Sequence, residues 1–293
     1  MSFRVLGIGE VLWDLLPTGR QLGGAPANFA GHARALGADA RLISRVGRDP
    51  LGDEILQRLE LSGLPTNTVA VDPIAPTGTV PVELSADGQP RFTITENVAW
   101  DRIEVSDSVF ALAATADAIC FGSLAQRAEP SRSGIRSIVA ATPPGALRIF
   151  DINLRQHFYS PEVIESSLRL ANVLKINEQE LDVLADMLCL NHGREEQIGQ
   201  LADRYELRAV ALTRGDRGSL LYCGGQWSDQ PGTPTVVKDT VGAGDAFAAA
   251  MTLGLLMDRP LDEINRHANA VAAYVCSCEG ATPPLPLCLR QSL

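Results

Sequence analysis

Lysine is almost missing from this chain: Lys175 and Lys238 are the only two in 293 residues, and neither follows a glycine. A Walker A loop ends in Gly-Lys-Ser/Thr, so the chain is not a P-loop enzyme. Positive charge is scarce altogether, with 25 lysines and arginines against 35 acidic residues and a net charge of -10. Binding to nucleic acid or to an anionic membrane needs basic surface to neutralise phosphates, and neither is expected as a partner. The six cysteines (Cys120, Cys189, Cys223, Cys276, Cys278, Cys288) include no C-x-x-C pair. Cys276 and Cys278 suit neither a tetrahedral zinc clip nor an easy disulfide, and the four histidines lie far apart, so no structural metal is expected. Most of these thiols fall in apolar stretches, which predicts small core residues in a reducing compartment. No apolar run is long enough for a membrane span and the first residues lack a signal core, which makes the cytoplasm the default location. No Pro/Gly/Ser linker, repeat or low-complexity tract divides the chain, so one domain with a substantial core is expected.

What is present alternates. Short β-branched or apolar runs at 3–8, 40–46, 118–121, 147–152, 173–176 and 209–213 read as strands. Helical spacing fills 27–36, 161–170 and 178–188; the first begins after Pro26 and stops at Gly37, and Asp49-Pro50 opens another. The alternation predicts an α/β fold with a mostly parallel sheet sandwiched by helices. One region departs from it. Residues 79–84 and 91–95 alternate with period two around the turn-rich 85–90, which reads as a hairpin. Val80, Val82, Leu84, Phe92 and Ile94 would give it one oily side. With the alternating segment 11–16, it would form a small β lid over a pocket or a homodimer contact, the lid spanning about 11–17 and 67–100.

The densest chemistry lies in Asp239-Thr240-Val241-Gly242-Ala243-Gly244-Asp245, which runs straight into the apolar stretch 246–257. Three residues with little or no side chain sit where a helix begins, so unpaired amides and the positive end of the helix dipole point the same way. Phosphate would fit there. Asp245, in the first turn, puts a proton acceptor beside it, the arrangement a hydroxyl needs to attack a bound phosphoryl group. Small residues followed by Asp are also what a plain helix cap looks like.

Five further features accompany it. Gly23-Gly24-Ala25-Pro26-Ala27-Asn28 places a glycine pair at a helix start and a carboxamide one turn later, suited to polyol hydroxyls or to a structural hydrogen bond. Asp14 interrupts the apolar run from Val11 to Leu16 and must meet a partner or a polar ligand. Asp151-Ile152-Asn153-Leu154-Arg155 falls at a strand's C-terminal end, where open α/β sheets place ligands; Arg155 would neutralise an anionic group or pair with Asp151. Asn177-Glu178-Gln179-Glu180 offers Glu180 to magnesium through water, or only an acid at a helix N-terminus. Thr213-Arg214-Gly215-Asp216-Arg217-Gly218 gives a turn against which a nucleotide could lie. Gly7-Ile8-Gly9 does not open a dinucleotide fold, because the third glycine position is Leu12 and a strand-like run follows.

Taken in order, the glycine pair with Ala-Asn, Gly47-Arg48-Asp49-Pro50-Leu51-Gly52, the run from Asn177 to Glu180, the turn from Thr213 to Gly218 and the segment from Asp239 to Asp245 resemble the ribokinase, or PfkB, family of carbohydrate kinases. Gly9-Glu10-Val11-Leu12 with Gly24-Ala25-Pro26-Ala27-Asn28 looks most like the fructokinase branch. The resemblance implies a ribokinase-like fold and in-line transfer of the ATP γ-phosphate to a primary hydroxyl of a sugar. It implies Asp245 as base and the amides of Gly242, Ala243 and Gly244 as anion hole. Asp14, Gly24 and Asn28 would hold sugar hydroxyls, and Arg155 would contact substrate or phosphoryl oxygens. Asn177 and Glu180 would organise Mg·ATP, Thr213 and Gly215 would line the nucleotide site, and Asn269 would join the adenine wall. A monovalent cation, K+, would use Asp239, Val241, Val275, Cys278 and Gly280, although Pro284 stands where a serine is usual. Fructose leads as acceptor, with 2-keto-3-deoxygluconate, for which Arg91 or Arg155 would supply a cation, and ribose as rivals. A sugar-binding regulatory protein on the same fold is the reading outside catalysis.

Overall fold

Strands form where β-branched and apolar residues run together, and in the computed structural model, which describes residues 2–17, 19–84, 90–190 and 193–290, they build two sheets. The turn at 85–89 and the side chains of Leu84 and Arg91 lie outside the described residues. The strands are β1 (Arg4–Ile8), β2 (Leu12–Leu16), β3 (Gly19–Gly23), β4 (Asp39–Gly47), β5 (Val69–Asp72), β6 (Gly78–Leu84), β7 (Pro90–Phe92), β8 (Ala118–Phe121), β9 (Leu147–Asp151), β10 (Val173–Asn177), β11 (Ala209–Thr213), β12 (Ser219–Cys223) and β13 (Gln226–Gln230). The helices are α1 (Ala25–Ala35), α2 (Pro50–Leu61), α3 (Asp107–Ala113), α4 (Ser131–Ala140), α5 (Pro161–Leu170), α6 (Glu178–Leu188), α7 (Arg194–Tyr205), α8 (Ala243–Leu256), α9 (Leu261–Cys276) and α10 (Leu287–Arg290).

The large sheet runs β13-β12-β11-β10-β9-β8-β1-β4-β5, parallel except for the β12–β13 hairpin at one end. Successive side chains of a strand point to opposite faces, so Phe150 and Ile152 enter one core with α3–α7, while Leu147 and Ile149 enter another with α1, α2, α8 and α9. Burying each such side chain contributes roughly 1.5–3 kcal/mol. From β1 the chain moves outward to β4 and β5, then returns to β8 on the other side of β1 and proceeds to β13. The crevice at the C-terminal ends of β1 and β8 is therefore the switch point where open α/β sheets receive ligands. Helix α8 closes it from one face. Ten consecutive residues, Ala246 to Leu255, are buried, which requires the small side chains its sequence supplies.

The second sheet runs β3-β2-β6-β7, with β2 and β6 parallel and the outer pairs antiparallel. It contains the expected hairpin, and two details differ from the sequence reading. β3 joins it although Gly-Arg-Gln-Leu-Gly has no β-branched residue, because pairing with β2 supplies what propensity does not. β5 belongs instead to the large sheet, paired with β4. The oily side of the hairpin is covered from within: Val80, Val82 and Ile94 are buried, Val80 and Ile94 in one core with Trp100, while Phe92 remains 48% exposed. None of the six thiols is in a disulfide, and Cys120 alone is buried; Cys189 and Cys288 are exposed and the others half-buried, so the core role expected for most of them holds for one. Among the described residues no helix is long and apolar enough to cross a membrane.

Candidate active site

Helix α8 begins without a side-chain cap. Gly242, at the N-cap, has φ 79, a left-handed conformation that favours glycine, and a Cβ there would collide with the Ala281 carbonyl. Ala243 N–H reaches the Thr240 carbonyl at only 3.4 Å, and no hydrogen bond among the described residues engages the amides of Gly242 or Gly244. This first turn is half-buried, so its amides stay open to a ligand. Left free, they form a cradle for negative charge at the positive end of the helix dipole.

Asp245 lies one residue further on. Asn28, 5% exposed on α1, donates its side-chain amide to Asp245 Oδ2 at 2.8 Å and fixes the carboxylate's orientation. Burial pushes the Asp245 carboxyl up to about 6, with Asp151 adding to the rise and Lys175, Asn28 and Arg155 opposing it. The residue that sequence reasoning missed here is Lys175. It lies opposite Asp151 in the β9–β10 register, and the two form a buried ion pair at 3.0 Å. Burial alone would lower the lysine's pKa, but Asp151, Glu180 and Asp245 outweigh it and hold the amine charged. A Cβ on Gly244 would lie 2.9 Å from Lys175 Nζ, so a fixed cation sits directly behind the free amides. Its signal was visible as a lone lysine within the apolar strand 173–176.

Across the crevice, Asp14 projects from β2 with no hydrogen-bond partner among the described residues, its Oδ2 within 2.6 Å of where a Gly23 Cβ would stand. Burial raises it to about 6, Arg155 opposing. Gly24, with φ 111, caps α1, and a Cβ there would strike the Glu10 carbonyl. Glu10 is the second residue the sequence reading passed over. It is 2% exposed, its Oε2 has no partner, and burial raises it to about 7. The argument applied to Asp14, a lone acid in an apolar run, would have found it. Arg155 is exposed and makes no ion pair among the described residues, because Lys175 occupies Asp151; its field acts on Glu10, Asp14 and Asp245.

On the other flank, Asn177 and Glu180 form a reciprocal capping box at the start of α6: Glu180 N–H donates to Asn177 Oδ1 and Asn177 N–H to Glu180 Oε2, both at 2.9 Å. Leu154 N–H donates to Glu180 Oε1 at 3.0 Å. The carboxylate is 5% exposed and burial raises its pKa, so it is not a solvated helix-end acid. Thr213 and Gly215 end β11 and begin the next turn, with open space over Gly215. Asn269 lies apart from the crevice in a polar network under β12, its amide donating to Ser219 Oγ at 2.7 Å and to the Asn265 carbonyl at 2.9 Å.

Asp239 staples two loops, accepting from Val241 N–H at 3.0 Å and Gly280 N–H at 3.1 Å. Cys278 N–H donates to the Val275 carbonyl at 3.0 Å, and Tyr274 donates its hydroxyl to the Pro284 carbonyl at 3.0 Å. The loop at 239–241 and the turn at 280–281 thus meet beside the start of α8. Among the described residues no three His, Cys, Asp or Glu side chains cluster to hold a metal by themselves.

Unpaired amides backed by a buried cation, next to an oriented carboxylate, are the requirements for moving a phosphoryl group onto a hydroxyl, and they define a phosphotransferase. A family model for pfkB family carbohydrate kinases matches residues 17–288. The chain belongs to that family, whose acceptor is a sugar hydroxyl. Fructokinase of Escherichia coli is 31% identical over 311 residues, 100% of this chain and 99% of that one. An uncharacterized sugar kinase of Pyrococcus horikoshii is similar in its crystal structure, with TM-score 0.82, 29% identity and coverage of 95% of this chain and 93% of that one. A double mutant of fructokinase from Vibrio cholerae O395, solved with fructose, ADP and potassium ion bound, superposes with TM-score 0.81 at 25% identity over 97% of this chain and 95% of that one.

Proposed function

We propose that this kinase transfers the γ-phosphate of ATP to a primary hydroxyl of a ketose, with fructose as its acceptor. The observation that carries the reading is the first turn of α8: free amides at Gly242 and Gly244, with Asp245 held beside them by Asn28. In this reading the γ-phosphoryl group rests against the amides of Gly242, Ala243 and Gly244. Asp245 takes the proton of the sugar hydroxyl as its oxygen bonds to phosphorus, and the bond from phosphorus to the bridging oxygen of ADP breaks in line. The charge of Lys175 behind Gly244 steadies the transferring group. Asp14, Gly24 and the remaining polar valences of Asn28 hold the other hydroxyls, and Arg155 faces phosphoryl or substrate oxygens. The small sheet closes over the sugar as a lid on the single domain and keeps water from the phosphoryl group.

Asn177, Glu180, Thr213 and Gly215 flank the nucleotide, and Asn269 supports its base from behind. Magnesium takes few protein carboxylates and keeps its waters, which suits Glu180, whose oxygens each receive one amide and keep a lone pair for water. When bound, it would neutralise phosphate charge. A potassium ion would lie among Asp239, Val241, Val275, Cys278 and Gly280, held by main-chain carbonyls, since both Asp239 oxygens already receive amides.

Fructose is favoured by the fructokinases among the relatives and by the Gly24-Ala25-Pro26-Ala27-Asn28 start of α1. Arg155, without a carboxylate partner, supports a second reading in which the acceptor is acidic, such as 2-keto-3-deoxygluconate. The test is ADP release with Mg·ATP and fructose, ribose, 2-keto-3-deoxygluconate or inosine, with and without K+. Highest kcat/KM for fructose is expected. A higher value for 2-keto-3-deoxygluconate replaces fructose by the acid, and no sugar-dependent ADP release returns the chain to a sugar-binding regulatory role.

A further inference from the structure

Residues 153–156, just after β9, touch both sides of the crevice. Asn153 and Gln156 are non-glycine residues in the left-handed region, with φ 43 and 49, conformations that persist only where the surroundings hold them. At one end of this segment Leu154 N–H is held by Glu180 Oε1 at 3.0 Å. At the other, Gln156 Nε2 donates to the Phe92 carbonyl on β7 at 2.7 Å. Arg155 lies between the two attachments and has no ion-pair partner of its own among the described residues. Phe158 N–H donates to the Arg155 carbonyl at 3.0 Å, and the buried Phe158 ring anchors the turn beneath.

The geometry on the β7 side explains why this bond matters. β7 is an edge strand of the small sheet. Thr93 N–H donates inward to the Pro81 carbonyl at 2.9 Å, so the Phe92 carbonyl, on the opposite side of the same planar peptide, points off the open edge. Gln156 is the group that meets it there. Three residues on, the Thr95 carbonyl accepts from Arg127 Nη2 at 2.6 Å, a buried side chain stacked over Trp100 and Phe158. The base of this strand is thus pinned to the large domain, while its outer part is tied to it through Gln156.

We propose that Gln156 is a positioning residue that latches the small sheet to the loop carrying Arg155, so that closing the sheet over the acceptor places the guanidinium. The proposal rests on the kinase reading for its kinetic consequences and on geometry alone for the latch. Gln156→Glu keeps the shape but presents a carboxylate, which cannot donate to a carbonyl; Gln156→Lys restores a donor. With the best acceptor of the sugar panel, Gln156→Glu should raise the acceptor KM about threefold to tenfold, the scale of one hydrogen bond, with the ATP KM within about twofold. Gln156→Lys should recover most of that loss. On an Arg155→Ala background the Gln156→Glu effect on the acceptor KM should vanish, because nothing remains to be positioned. A side chain that only satisfies an edge carbonyl would give additive effects and an unchanged acceptor KM, and either result overturns the proposal. Hydrogen exchange of the amides of Thr93 and Thr95 provides a readout independent of any substrate. Faster exchange in Gln156→Glu than in wild type is expected. Equal exchange refutes the latch even if the chain phosphorylates no sugar in the panel.

Discussion

Replacing Glu10 by Gln should stabilise this protein, and only at pH values above the ordinary range of a glutamate. Glu10 is 2% exposed, and one of its oxygens has no hydrogen-bond partner. Burial lifts its pKa from 4.5 to about 7, with Asp245 adding to the rise while its own N–H, that of Ala25 and the charge of Arg155 oppose it. The folded chain therefore holds this proton more tightly than the unfolded chain does. The stability so gained is fully present below pH 4.5 and is lost as pH rises through about 7. The gap between 4.5 and about 7, at about 1.4 kcal/mol per pH unit, amounts to about 3 kcal/mol. Gln retains an oxygen for the Ala25 amide and cannot ionise, so the variant escapes that loss. Urea unfolding of both proteins at pH 4.5 and pH 8 measures it. The pH-dependent part of the difference is the test, since an unpaired amide NH2 in the variant would shift both values alike. A free-energy difference that is the same at both pH values would show that Glu10 ionises as it does in water, and the reasoning from its burial would fail.

The remaining predictions concern catalysis. Asp245→Asn should leave the KM values for ATP and sugar within a few-fold and reduce kcat by at least ~10²-fold, the scale of a general base; near-normal turnover removes the assignment. Because Asp245 must be deprotonated to act and its pKa is raised to about 6, kcat/KM of the wild type should fall as pH drops below about 6, and a flat profile down to pH 5 contradicts this. Asp14→Ala should raise the sugar KM strongly with little change for ATP, and an unchanged sugar KM returns Asp14 to a structural role. Lys175→Met leaves Asp151 as an unpaired buried charge and should destabilise by about 3–5 kcal/mol. Adding Asp151→Leu should recover stability in urea melts but not turnover, and recovery of both would make the pair purely structural.

The layered fold was legible because its signals are local: α5 and α6 begin and end where Ser160-Pro161, Asn177 and the apolar spacing place them. β3 was not legible, since its glycine-flanked sequence becomes a strand only through pairing with β2. The motif of Gly242 to Asp245 could be read because it lies in one stretch. Asn28 holding Asp245 and Lys175 backing Gly244 join residues far apart in sequence, and only the packing of α1 and β10 against α8 brings them together. Glu10 and Lys175 each showed as one charge in an apolar run, a signal taken up only for Asp14. The hairpin's oily face was legible from its alternation, whereas the Trp100 core that covers Val80 and Ile94 was not, because alternation reveals that a face is covered without saying by what.

The unbroken burial of α8 divides what can vary from what cannot. Ten consecutive side chains wedged against the sheet and neighbouring helices leave its first turn almost immovable, so a change at that end disturbs the interior of the whole molecule. The strands of the small sheet also bury Trp13, Val80 and Val82, but leave Asp14, Leu15 and Leu16 half-buried and Phe92 exposed. Adaptation to a new acceptor should therefore accumulate in β2, β6 and β7, while the phosphoryl-handling end stays as it is.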